Sequence, residues 1–137
     1  MAAGSGSAVA GFTDWLTRFG DAWEAAEASQ MAALFVERAT FQPTPFSGLL
    51  RGRRQIEKHF DELLAGIERI SFSAEVLGAG ATYGVAHWRA TSQLSVGLGP
   101  PIDRVRDGVV VLALDTRGRC TSMRWWWHET EEPPGVG

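Results

Sequence analysis

The chain is short of several things, and each shortage excludes a class. It holds one cysteine, Cys120, in 137 residues, so an intrachain disulfide is excluded, and no Cys/His spacing resembles a zinc site. It has no basic excess: 13 Lys and Arg stand against 16 Asp and Glu, for a net charge of −3. The one tight basic cluster, Arg51, Arg53 and Arg54, is followed by Glu57, Asp61 and Glu62, which leaves no nucleic-acid footprint. Gly52 within that cluster lacks the spacing of a phosphate cradle and reads as the polar start of a helix. No apolar run is long enough to span a bilayer, and the opening MAAGSGSAVAG has neither the basic nor the apolar region of a secretory signal. The expectation is a single domain over residues 11–130, with a flexible leader (1–10) and a flexible tail (131–137), in a reducing, cytoplasmic setting. No metal, cofactor, nucleic acid or membrane partner is expected.

Tryptophan is plentiful where tyrosine is scarce: six against one. Three of the six are consecutive, in Arg124-Trp-Trp-Trp-His-Glu129. From Phe12, the residues Phe12, Trp15, Leu16, Phe19 and Trp23 recur at three- and four-residue steps, which predicts an amphipathic helix. QMAALFVE after Ser29 predicts a second, short helix burying Met31, Leu34 and Phe35. ATFQ reads as a short strand and PTPFSG as a loop, and RRQIEKHFDELLAG reads as a third helix ending on Gly66. Beyond it the apolar period becomes two, predicting strands near 70–77, 81–95, 104–115 and 119–130, separated by glycine-rich turns.

Helices first and hairpin-linked strands afterwards imply an α+β fold, with three helices on one face of a mostly antiparallel sheet. Such a sheet normally turns a polar face to water. This one is apolar on both: Val110, Leu112 and Leu114 alternate with Val109, Val111 and Ala113, and Met123, Trp125 and Trp127 alternate with Arg124, Trp126 and His128. The helices cover one face. The other, with Trp88, Val109, Val111 and Trp126, is expected to meet a second subunit in a homodimer.

The stretches AWEAAEASQMAALFVERATFQPTPFSGLLRGRRQIEKHF, VAHWRA, DGVVVLALDTRGRC and RWWWH resemble the cone-shaped family of nuclear transport factor 2, ketosteroid isomerases, limonene epoxide hydrolases and the SnoaL-like polyketide cyclases. The resemblance covers residues 12–130. It implies a curved sheet and three helices enclosing an apolar pocket for a hydrophobic, ring-containing small molecule. Carried over by position, the pocket lining would be Trp15, Phe19 and Trp23; Phe41 and Phe46; His59 or Phe60; Tyr83, Val85, His87 and Arg89; Val110 and Leu112; and Met123, Trp125 and Trp127.

The relatives' catalytic groups do not carry over. Where ketosteroid isomerases would place a phenol donor, a carboxylate base and a protonated acid stand Phe19, roughly Pro43, and Val110, and the last-strand carboxylate of the epoxide hydrolases falls on Trp125. If the chain is an enzyme, the expected chemistry is cofactor-free isomerisation, cyclisation or hydrolysis. His87 would then transfer the proton, Asp107 would orient it and Arg89 would hold negative charge. The alternatives are a core histidine and a structural Arg89 ion pair with Asp103 or Asp107, in a non-catalytic carrier or a protein-interaction module. Cys120 is expected to be a small buried residue rather than a nucleophile.

Overall fold

The structure, a computed structural model, describes residues 2–95 and 97–132. Its elements are α1 (Ala2–Glu24), α2 (Ala28–Ala32), β1 (Phe35–Gln42), β2 (Leu50–Arg51), α3 (Arg53–Leu64), β3 (Ile67–Ala79), β4 (Tyr83–Leu94), β5 (Ile102–Leu114) and β6 (Cys120–Glu132). The strands form one sheet in the order β2-β1-β6-β5-β4-β3. All neighbours are antiparallel except β1 and β6. This is the α+β cone expected from the sequence: α1 lies across β3, while α2 and α3 pack on each other and close the side near β1.

Four boundaries differ from the expectation. The second helix stops at Ala32, and Phe35 and Val36 open β1 instead, because Phe35 pairs with Cys120 and is fully buried there. Helical and extended readings of so short an apolar run cannot be separated by periodicity. The two-residue strand β2, absent from the reading, pairs Leu50 and Arg51 with Phe41 and Thr40. The first helix begins at Ala2, so most of the expected leader is helical; its alanines are strong helix formers. β6 continues to Glu132, opposite Asp103, and the remainder of the expected tail lies outside the described residues.

The core is aromatic. Trp15 and Phe19 stack with ring centroids 4.9 Å apart, and Phe60 meets Phe19 and Phe41 at 5.6 Å each. Truncating one such buried ring to alanine typically costs about 3–5 kcal/mol. Cys120 is completely buried where β6 begins, its Sγ 3.2 Å from the Ser122 carbonyl oxygen, and burial pushes its thiol far above the ordinary range. That suits packing and disfavours a nucleophile.

Candidate functional site

Register fixes which side chains enter the cone. On β5, Val110 and Leu112 point inward and are buried, and their partners on β6 are Trp125 and Met123. On β4 the residues opposite Val110 and Gly108 are Ala86 and Trp88. The inward face of β4 is therefore Gly84, Ala86, Trp88 and Ala90, all buried. The assignment of Tyr83, Val85, His87 and Arg89 to the pocket is overturned: these four lie on the outer sheet face, with Tyr83 58% exposed. Trp88, assigned to the outer face, is only 1% exposed inside the cone. Space explains the exchange. A Cβ at Gly84 would come within 2.6 Å of the Phe12 ring, so small residues mark where α1 presses on β4.

The interior brings together Trp15, Phe19, Trp88, Val110, Met123 and Trp125, with Leu16 and Phe72, around a cavity of about 10 Å³. The rings fill most of the space that an open pocket would occupy, and what remains is about one water molecule in size. Trp23, Phe41, Phe60 and Leu112 are buried around these residues. Trp127 also faces inward and is half-buried, with the Arg106 guanidinium 4.9 Å from its ring centre.

Two other lining assignments fail. Phe46 is 99% exposed, held on the 43–49 loop by a turn in which Thr44 Oγ1 accepts hydrogen bonds from the Phe46 and Ser47 amides. His59 is half-buried with its ring edge-on to Phe41 at 5.4 Å, and it opens toward a groove with Leu50, Gln55, Lys58 and Glu62 rather than toward the cavity. Burial holds its imidazole below the usual histidine range, against a weaker opposing pull from Glu62.

The cavity has no proton donor or acceptor of catalytic type. Its lining contributes only the indole N–H groups and a thioether as polar atoms. The Trp15 indole donates to the Leu34 carbonyl oxygen at 3.0 Å. Those of Trp88 and Trp125 are buried and have no hydrogen-bond partner among the described residues.

His87, Asp107 and Arg89 do come together, but on the sheet's opposite side. His87 Nε2 lies 2.8 Å from Asp107 Oδ1, and Arg89 Nε donates to Asp107 Oδ2 at 3.0 Å. The hydrogen bond from His87, then that from Arg89, hold the Asp107 carboxyl below the usual carboxylate range. An ionised carboxylate only accepts, so the His87 Nε2 carries the proton. The group is partly exposed.

Sequence reasoning missed a charged network at the far end of the inner face. Arg106 donates to Glu129 at 3.1 Å and Arg104 to Glu131 at 2.6 Å, while burial lowers the Arg106 pKa despite its carboxylate partner. The visible signal was charge alternation: Arg104 and Arg106 on one strand of a hairpin, Glu129 and Glu131 on the next. Glu129 is thus held by Arg106. Among the described residues, no three His, Cys, Asp or Glu side chains converge as metal ligands would, and no helix is long and apolar enough to cross a membrane.

Residues 16–129 match the family model of the SnoaL-like domain. No curated protein matches as a relative. A similar solved structure is that of the epoxide hydrolase/cyclase-like enzyme SalBIII, described for pyran ring formation in the polyether salinomycin. The two share 17% identity with a TM-score of 0.67, over 85% of this chain and 89% of that one. At that identity the likeness speaks for fold alone. The family match runs from the middle of α1 to near the end of β6 and so takes in every strand of the cone: the chain belongs to the SnoaL-like family.

Proposed function

We propose that the chain binds a hydrophobic, ring-containing small molecule inside its cone, as a carrier or sensor rather than as an acid/base catalyst. The observation that carries this reading is the chemistry of the cavity wall: indoles, phenyl rings and aliphatic side chains, with no titratable group among them. Such a wall offers dispersion and apolar burial to a flat ligand. It offers no group able to move a proton, which an isomerase, cyclase or hydrolase of this kind would need beside its substrate. The ligand must displace a ring to enter, since the cavity itself is small.

The test is native mass spectrometry of freshly purified protein, followed by titration with tetralin, a bicyclic hydrocarbon. Retention of a small molecule, or saturable tetralin binding without any chemical change to an extracted ligand, supports the proposal. An empty protein that binds no apolar bicycle contradicts it.

A second reading concerns assembly and rests on the outer sheet face. Trp126 is 42% exposed there, beside the half-buried Val85, Val109 and Val111. We propose that a second copy of the chain covers this face, with Trp126 at its centre and the His87–Asp107–Arg89 group beside it. Trp88 has no part in that surface. A cytoplasmic setting suits a chain whose one thiol is buried and reduced.

A further inference from the structure

Trp88 is 1% and Trp125 3% exposed, yet neither indole N–H has a partner. An indole nitrogen can only donate. Leaving one such donor unpaired away from water forfeits the hydrogen bond it would make in solvent, and a core optimised only for packing would not keep two of them side by side. Their rings stack with centroids 5.1 Å apart and both line the same cavity. What they lack is a hydrogen-bond acceptor, and none of the described residues supplies one.

A way in lies next to them. A groove of about 250 Å³ runs between α1 and β3, with Leu16, Phe72 and Val76 as its apolar floor and Thr13, Thr17, Asp21 and Ser73 among its polar rim. Leu16 and Phe72 line both this groove and the inner cavity, so they form the partition between them. The Phe72 ring is only partly buried. It stacks over Trp88 at 6.2 Å and sits in a notch left by Gly20, where a Cβ would come within 2.5 Å of it. β3 is the last strand of the sheet, so widening the gap beside α1 breaks no strand ladder, although the Phe72 amide donates to Glu24 Oε2 of α1 at 2.8 Å and that bond must lengthen. Turning Phe72 outward joins groove and cavity and vacates the volume of a phenyl ring, which brings the space into the range of ligand pockets, roughly 300 Å³ and above.

Resting on the binding function proposed above, we infer that the ligand carries a hydrogen-bond acceptor oxygen, of carbonyl or ether type, on its apolar ring system. It passes between α1 and β3 by displacing Phe72, and its acceptor takes the Trp88 and Trp125 indole donors.

The test compares 1-tetralone with tetralin, which share a bicyclic skeleton and differ by one carbonyl. Dissociation constants and association rates are measured on wild type, Trp88→Phe, Trp125→Phe, the double variant Trp88→Phe/Trp125→Phe and Phe72→Ala, with indole ¹⁵N–¹H spectra of wild type alongside. The expected result has three parts. The preference for tetralone over tetralin falls about tenfold when both donors are removed, corresponding to about 1.4 kcal/mol. In wild type the Trp88 and Trp125 N–H resonances move downfield with tetralone and not with tetralin, a readout that needs no variant to fold. Phe72→Ala speeds association of both compounds several-fold. If both compounds bind with a preference unchanged in the tryptophan variants and no downfield shift, acceptor recognition is overturned while the binding function stands. If association rates are unchanged in Phe72→Ala, the route is overturned. If neither compound binds any variant, including Phe72→Ala, the binding function itself falls.

Discussion

Trp88 and Trp125 stack across β5, their planes 28° from parallel, although neither is on the strand next to the other. Gly108 lies on the strand between them. It pairs with Trp88 on one side and Trp127 on the other, and a Cβ there would collide with the Trp126 carbonyl oxygen and the Trp127 Cβ. The strand between the two tryptophans thus carries no side chain at the point where Trp88 reaches over.

The unpaired indoles should reveal themselves in stability. Trp15→Phe breaks the bond to the Leu34 carbonyl oxygen, whereas Trp125→Phe removes a donor that had no partner. Both substitutions lose similar ring volume. Urea denaturation should therefore find Trp15→Phe more destabilising than Trp125→Phe by about 1–2 kcal/mol. Equal losses would mean that the Trp125 donor is satisfied in solution.

Placement of β4 can be tested with two glycines. At Gly84 a Cβ would press into the Phe12 ring, and at Gly78 it would meet nothing within 4 Å. Gly84→Ala should cost about 1–3 kcal/mol by overpacking. Gly78→Ala should be nearly neutral in the same denaturation assay. A neutral Gly84→Ala would return Tyr83, Val85, His87 and Arg89 to consideration as inner residues.

How far the sequence was legible follows from this strand. The period-two pattern locates β4 and β5 and sets Val110 with Leu112, and Met123 with Trp125, on one face of their strands, and all four are buried. On β4, however, two alternating sets compete: Tyr83, Val85, His87 and Arg89 look like a site, while Gly84, Ala86, Trp88 and Ala90 look bland. Only the hairpin register, Trp88 opposite Gly108, decides between them, and the connection between Leu94 and Ile102 is too long for turn chemistry to fix it. The parity of β5 already set Asp107 with the outward Val109 and Val111. A partner of Asp107 therefore had to be outward too. The meeting of His87, Asp107 and Arg89 was thus foreseeable, but its side of the sheet depended on following that constraint through. Small residues along β4 record the closeness of α1, a tertiary fact with no local signature.

Acid should weaken the fold through His59. Burial lowers its folded pKa, so the unfolded chain binds the proton more readily. This contribution to stability is complete above the unfolded value, about 6.5, and is lost as pH falls from there through the lower folded value. Denaturation midpoints of wild type and His59→Gln should differ in slope over that window, with the variant flatter. Parallel curves would mean that the imidazole is solvated in both states.

Cys120 should resist thiol reagents in the folded protein and react fully after denaturation, because it is completely buried and its thiol stays protonated. Ellman's reagent, read with and without guanidinium, checks this. Fast labelling of the folded state would contradict the packing of β6 against β1.

Assembly has its own readout. Trp126→Glu places a charge at the centre of the outer apolar face, and light scattering should show a dimer in wild type and a monomer in the variant. A wild-type monomer at high micromolar concentration would remove the second copy from the account.

The most direct test of the central claim is the indole region of the ¹⁵N–¹H spectrum during titration with tetralin, in which the six tryptophans report from different places. Tetralin inside the cone should perturb the resonances of Trp15, Trp88 and Trp125 through ring packing alone, saturably and together and without the downfield hydrogen-bond shift reserved for tetralone, and leave Trp126 in place. Shifts confined to Trp126, or none at saturating tetralin, would contradict the claim that the interior is the binding site.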